Sequence, residues 1–503
     1  MPPICICIQL FLKFYKKHTE NLKFYKQTEN QSITNTSQVM LDNRQIILPP
    51  ECMQRIFKCI PHKATLFKLL FVNRYWCENV IPILWSNPFK ILLPPKSSCR
   101  NSSRDPNACF QLLRTYITCL DDEDYYSLFS KLNPLLHPFN IQIPGSFKTL
   151  YNYPIYLKEL SYKELESTIY TSFKSNLKYP LDYQEERYQA SLIASSLCKL
   201  FLQKSTKLHS LLFNPTTYSV DMPMNIQGYN NYTIKSALSN LTNMTTKIYY
   251  QDPKFDVLSL LKHISNHSTE IKNFDFNFDF KKYDVELIEL IVDVIRSQRQ
   301  IFRFNISNLQ NEYFELILLN LHSHHDSTLY SLKLQNIQFT NISLHLLSRF
   351  KNLKNLYLYS CKGFRHNVNT FNDSSFNMKR LHICCNGNDD EMKDLLLQLF
   401  KRTGTSLNQL GIDLACNKEN IDKILKYCPN IIELLILNSE NDNLSGWKEN
   451  FISCSKNIII KSLNLKSNLS FNIGKFMEKF EGKFEGKFEG NFDRSNVTYC
   501  KEF

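Results

Sequence analysis

Glycine is scarce: 11 in 503 residues, with none before Gly145, where ordinary chains carry about 7%. A glycine-rich phosphate cradle in the first quarter is thereby excluded. Further on, Gly482, Gly486 and Lys487 fall one residue short of a P-loop spacing, and no Ser or Thr follows. GxGxxG, GxSxG, HExxH and CxxC are all missing, which removes most enzyme families that can be known by motif. No run approaches 18 apolar residues, so no membrane-spanning helix is expected. The apolar stretch Ile4–Leu12 lacks a basic leader and runs into Lys16-Lys17, so no signal peptide is expected either.

What is present can bury a core. Hydrophobic residues make up 43% and charged residues 21%, with 36 Phe and 26 Tyr. At about 150 residues per domain, the length suits three domains or one long repeat array. The formal charge is +13, but acids and bases are interspersed. Lysines stand singly, with no continuous basic stripe along the sequence, which speaks against nucleic acid as a partner. The 16 cysteines form no even framework, as expected of reduced thiols in an intracellular protein of the cytoplasm and/or nucleus.

Residues 1–44 hold a tandem duplication (LKFYKKHTEN, then LKFYKQTEN) and a polar run, and read as a tail of little structure. Residues 45–90 are different. Pro49 and Pro50 suit a first helical turn, and Glu51 favours its positive end. Met53, Ile56, Phe57 and Ile60 share one helical face, and Pro61 ends it. A second apolar segment spans Leu66–Val72. A third carries Tyr75, Trp76 and Val80 and is expected to stop before Pro82, with Trp85 closing the unit. Three helices this short cannot bury enough surface alone, so docking on a neighbour or a partner is implied.

The pattern Leu48-Pro49-x-Glu51, Ile56-Phe57, Leu66, Val72-Asn73-Arg74-x-Trp76 and Leu84-Trp85 resembles an F-box. The match covers about 40 residues. It departs from the family's pattern at Pro50 and in the loop Pro61–Thr65, which lacks the usual acidic residues.

Residues 91–205 have helical spacing (Cys109–Leu120, Tyr162–Phe173, Arg187–Gln203) and read as a linker or cap. Over 206–470 a repeat of the form apolar-x-x-apolar-x-apolar follows: Leu208-Leu211-Phe213, Ile271-Phe274-Phe276, Ile301-Phe304-Ile306, Leu329-Leu332-Leu334, Leu353-Leu356-Leu358, Met378-Leu381-Ile383, Leu407-Leu410-Ile412, Ile431-Leu434-Ile436 and Ile460-Leu463-Leu465. A degenerate copy near Lys247 and Tyr249 splits the long gap after Leu211. The period is that of leucine-rich repeats, and segments such as Asp284–Ser297 have helical spacing between the strands. The expected fold class is α/β: a small three-helix unit, a helical linker, then a solenoid with parallel strands inside and helices outside. Leu353–Cys361 and Leu425–Leu434 resemble the cysteine-containing class of these repeats, which implies that Cys361 and Asn386 bond to backbone where the chain leaves its strand. Residues 471–503, GKFEG in degenerate tandem, read as a low-complexity tail.

Two chemical candidates are weak. His322, His324, His325 and Asp326 could ligate a metal, yet they fall where a polar helix-to-strand connection is expected. Cys384 with His382 could form a thiol–imidazole pair, but alternation puts only one of Cys384 and Cys385 outward. No catalytic residue, metal or cofactor is expected, and the chain reads as no enzyme. The outward strand positions are better placed to bind. Arg303, Asn305, Lys333, Gln335, Tyr357, Tyr359, Arg380, His382, Asp413 and Glu433 line the concave face. Of these, Arg303, Lys333, Tyr357, Tyr359, Arg380 and His382 are the candidate target contacts, suited to a protein or peptide carrying acid or phosphate.

Together the two resemblances imply the substrate receptor of an SCF-type cullin–RING ubiquitin ligase. Leu48, Pro49, Ile56, Leu66, Trp76 and Trp85 would lie in or behind the contact with a Skp-type adaptor, and the repeats would hold an unknown target protein. The alternatives are an F-box scaffold outside any ligase and, at greater distance, a basic repeat protein binding nucleic acid.

Overall fold

A strand whose alternate residues are apolar needs a second apolar layer to bury them, and here each repeat supplies it to the next. The computed structural model describes residues 48–91, 105–132, 151–176, 182–213, 231–248, 254–278, 285–364, 377–384, 390–413, 426–431, 433–437, 462–466 and 487–491. Among these, twelve parallel strands form one sheet in unbroken sequence order. They are β1 (Glu159–Ser161), β2 (Ser210–Phe213), β3 (Asn243–Ile248), β4 (Asn273–Phe278), β5 (Arg303–Ser307), β6 (Ser331–Gln335), β7 (Asn355–Tyr359), β8 (Arg380–Cys384), β9 (Gln409–Asp413), β10 (Glu433–Leu437), β11 (Ser462–Lys466) and β12 (Lys487–Asn491). Parallel neighbours require crossover connections, and helices such as Lys254–His267, Val285–Ser297, Asn311–His325 and Asn341–Ser348 provide them. The result is a parallel-strand solenoid with helices around the sheet.

The register stacks like on like. Met244, Phe274, Phe304, Leu332, Leu356, Leu381 and Leu410 lie in one row, and all are buried. Phe274, Phe276 and Phe304 pack with ring centroids 5.6–6.1 Å apart. Burying each such side chain stabilises the fold by roughly 1.5–3 kcal/mol.

Leaving their strands, Asn308, Asn336 and Ser360 adopt φ of 63°, 53° and 51°. This left-handed conformation is one that asparagine tolerates better than most residues. Asn336 Nδ2 donates to Asn308 Oδ1 at 2.6 Å, and Asn308 Nδ2 donates to Asn277 Oδ1 at 3.0 Å. The Cys361 thiol bonds to backbone at the turn as expected, lying 3.6 Å from Leu334 O and 3.5 Å from Tyr359 O, and an asparagine ladder shares that turn bonding in the repeats before it. Asn386 lies outside the described residues.

Before the sheet come α1 (Pro50–Lys58), α2 (Lys63–Leu69), α3 (Arg74–Leu84) and a one-turn α4 (Pro88–Ile91). Met53, Phe57, Leu66, Trp76, Val80 and Leu84 form their core. Contrary to expectation, α3 passes through Pro82. The proline stands in the last turn, and the carbonyl it leaves unpaired belongs to the exposed Glu78, where water can bond to it.

The ladder also overruns both limits read from the sequence. β1 lies inside the expected linker and β12 inside the low-complexity tail, because a solenoid's open edges offer unpaired backbone to any short extended segment. The N-terminal segment 1–44 and the rest of the tail, 471–486 and 492–503, lie outside the described residues. The copy between β2 and β4 is β3. Its buried positions are Met244, Thr246 and Ile248, so the strand puts Lys247 on the opposite face, and Tyr249 lies outside the described residues. Thr246, a polar residue at a core position, hid this strand from an apolar pattern.

The histidine cluster proves to be the last turn of the helix Asn311–His325 rather than a connection. His325 is buried and its Nε2 lies 3.0 Å from Ile295 O, while its Nδ1 has no partner. His322 packs edge-on to Phe350 instead, at 5.7 Å between centroids. Among the described residues no group of three or more His, Cys, Asp or Glu could hold a metal ion, and no helix is long and apolar enough to cross a membrane.

Burial lowers the His325 pKa from its ordinary value, so the unfolded chain takes up this proton at a higher pH than the folded protein does. Above a pH of about 6.5 the two states bind it equally. As pH falls below that value, stability is expected to drop by up to about 1.4 kcal/mol per pH unit for this group. Urea midpoints at pH 7.5 and 5.5 should show the loss, and His325→Leu should shrink the difference, leaving the share of His263, His322 and His382, whose pKa values burial also lowers.

Candidate functional site

Two surfaces stand out, one on the helical bundle and one on the sheet. In the bundle, Pro49 caps α1, and its carbonyl accepts from Cys52 N and Met53 N at 3.0 and 3.1 Å. Tyr75 on α3 donates its hydroxyl to Leu48 O. The Leu48-Pro49 pair is therefore pinned to the third helix. Asn73 caps α3 by accepting from Trp76 N at 2.8 Å, and Trp76 meets Phe57 at 5.3 Å between ring centroids.

Six residues were expected in or behind an adaptor contact, and burial sorts them. Pro49 is exposed; Leu48 and Ile56 are half-buried against the bundle core; Leu66 and Trp76 are inside it. Trp85 packs on both cores, with its ring 4.1 Å from Tyr153 and 5.2 Å from Tyr116. Its role is the joint between bundle and solenoid. The same joint caps the ladder, since Ser86 O accepts from Lys158 N (2.9 Å) and Glu159 N (3.2 Å).

The surface residues that the sequence reading missed are Phe67, Phe71 and Val72, at 48%, 87% and 36% exposure. A signal for them existed: Leu66–Val72 holds six apolar residues around Lys68, more than a short helix and the turn after it can bury. Large apolar groups exposed together mark an interaction site.

On the sheet, the third position of each strand from β1 to β8 faces away from the core. Register aligns Asp275, Asn305, Lys333, Tyr357, His382 and Gly411 in one row. Tyr357 stacks on His382 with centroids 5.0 Å apart and planes 26° from parallel. Lys333 Nζ stands 5.2 Å from the Tyr359 ring centroid, close enough for a cation–π attraction. Four of the six predicted target contacts therefore form one aromatic and cationic patch. Arg303 and Arg380 are exposed at the first strand position, about 14 Å apart across three strand spacings. The side chains of Asp413 and Glu433 lie outside the described residues, as does Cys385. His382's ring is engaged by Tyr357, and burial followed by the Arg380 charge lowers its pKa. Burial also pushes the Cys361 and Cys428 thiols up to about 12, which leaves them unreactive.

Gly411 makes room for His382: a Cβ there would lie 2.3 Å from His382 Nδ1. Gly411→Ala is expected to push the imidazole off Tyr357 and into water. Its pKa should then rise towards the ordinary histidine value, as read from the ring proton shifts in an NMR titration.

No known family model matches the chain, and none of the curated proteins matches it in sequence. Among solved structures it is similar to one described as the complex of Rad7 and Elc1 in yeast. That likeness has 10% identity and a TM-score of 0.31, and it covers 83% of this chain and 93% of the other.

Proposed function

We propose that this chain is the substrate receptor of a cullin–RING ubiquitin ligase. The N-terminal bundle acts as an F-box that docks on a Skp-type adaptor, and the solenoid's concave face holds the target protein. One observation carries the reading: the bundle keeps Phe67, Phe71 and Val72 in water, while its other end is committed to the solenoid through Trp85. An apolar patch of that kind, on a unit too small to be secure alone, fits a partner surface. The patch Lys333, Tyr357, Tyr359 and His382, with Arg303 and Arg380 nearby, suits a target segment bearing carboxylates or phosphates. Catalysis then consists of holding a target lysine near a charged conjugating enzyme, so that an encounter between molecules becomes an internal step.

The test is reconstitution. The full chain, mixed with purified Skp-type adaptor, is expected to elute as a stoichiometric complex on size exclusion in 150 mM salt. With a cullin–RING core, conjugating enzyme and ubiquitin added, the receptor's own lysines should become modified. Failure to form the binary complex at micromolar concentrations rules the reading out.

A further inference from the structure

The lysines that are scattered in sequence fall into line on the ladder. The residue just before each strand offers its carbonyl to two amides of the next repeat: Lys158 O to His209 N and Ser210 N, Lys272 O to Phe302 N and Arg303 N, Tyr330 O to Lys354 N and Asn355 N, Lys354 O to Lys379 N and Arg380 N. This repeated bond puts those residues in one row along the rim where the strands begin. From β1 to β9 the row reads Lys158, His209, Thr242, Lys272, Phe302, Tyr330, Lys354, Lys379, Asn408. At strand spacing it runs about 40 Å without one acid. Arg303 and Arg380 stand in the adjoining row. That row's one acid over these strands, Glu159, is taken by Asn87 Nδ2.

Two further features matter. Lys272, Arg303, Lys354, Lys379 and Arg380 make no ion pair among the described residues. In the middle of the row, on adjacent repeats, Phe302 and Tyr330 are exposed at 38% and 45%. Lys272 Nζ stands 5.7 Å from the Phe302 ring centroid. A row of cations without an ion pair among the described residues fits a polyanion, and exposed rings between Lys272 and Lys354 fit its flat, stackable groups. An acidic peptide would satisfy the cations but needs apolar side chains at matching positions to use the rings, whereas every base of a polynucleotide has a face to stack.

We infer that the rim Lys272–Phe302–Tyr330–Lys354–Lys379, flanked by Arg303 and Arg380, is a binding track for a single-stranded polynucleotide. Bases stack on Phe302 and Tyr330, and the lysines and arginines contact phosphates. The track is separate from the bundle patch; it borders the Tyr357–His382 stack, with Arg303 and Arg380 between the two, and it stands whether or not the chain serves a ligase.

The test is fluorescence anisotropy of the full-length protein with labelled 15-nucleotide oligothymidylate and oligouridylate, from 50 to 300 mM KCl. Both should bind, with a log–log salt slope of about −3 for roughly four phosphates. An unequal response would tell DNA from RNA as the preferred strand. Changing Lys272, Lys354 and Lys379 together to Gln should weaken binding at least tenfold and flatten the slope. Phe302→Ala with Tyr330→Ala should weaken it about tenfold and leave the slope unchanged, which loss of charge cannot imitate. Circular dichroism checks that each variant keeps its fold. No binding at 50 mM KCl overturns the proposal. So does binding indifferent to the two rings, or binding that polyglutamate displaces as well as unlabelled oligonucleotide does; the last result would make the rim a site for acidic protein.

Discussion

Phe71→Asp combined with Phe67→Asp is expected to abolish capture of a Skp-type adaptor, weakening it more than 100-fold. Phe71 is 87% exposed and Phe67 48%, so neither contributes much to the bundle's own core. Surface changes of this kind shift stability by about 0.5 kcal/mol or less, and the melting temperature should barely move. A carboxylate pressed into an apolar partner pocket, by contrast, must be desolvated without a counter-charge. Aromatic anchors at the centre of an interface are also where binding energy concentrates. Isothermal titration of the double variant against adaptor, beside Leu66→Ala as a core control, separates the two effects. Leu66 is buried at 4%, so its truncation should cost about 2–5 kcal/mol of stability. If the Phe variant binds normally, the patch is not the docking surface.

Trp85→Ala carries the second large effect, and it acts at a joint. The indole packs on both hydrophobic cores and touches Tyr116 and Tyr153. Removing it is expected to cost about 3 kcal/mol, part of it in lost ring contacts. The bundle and the solenoid should then melt in two calorimetric transitions where the wild type shows one. Adaptor capture survives, because Phe67 and Phe71 are untouched. Ubiquitin transfer to a bound target falls steeply, since a loose joint lowers the effective concentration of the target lysine at the enzyme. Trp85→Phe should restore much of both. A variant that melts as one unit and transfers ubiquitin normally would show that the joint is held elsewhere.

The repeating unit could be read directly from the chain. Leu-x-x-Leu-x-Leu in steps of one repeat points to stacked parallel strands that bury one apolar face each, and helical spacing between the strands supplies the crossovers. The bundle's core was equally legible, because Met53, Phe57, Leu66 and Trp76 fall at helical intervals. So were the outward positions Lys333, Tyr357, Tyr359 and His382, since alternation alone assigns them to a face.

Other features were settled in three dimensions. Burial decided that Trp76 and Leu66 are core while Phe71 is surface, although all three are large and apolar; only the packing partners of a short helix tell them apart. That Trp85 joins two cores depends on Tyr116 and Tyr153, which are 31 and 68 residues away. β1 and β12 escaped notice because an edge strand is recruited by the backbone groups beside it, whatever its side chains. The cationic rim is the clearest case. Lys272, Lys354 and Lys379 lie 25 or more residues apart in the sequence, and only the hydrogen-bonded register of the parallel ladder brings them into one row.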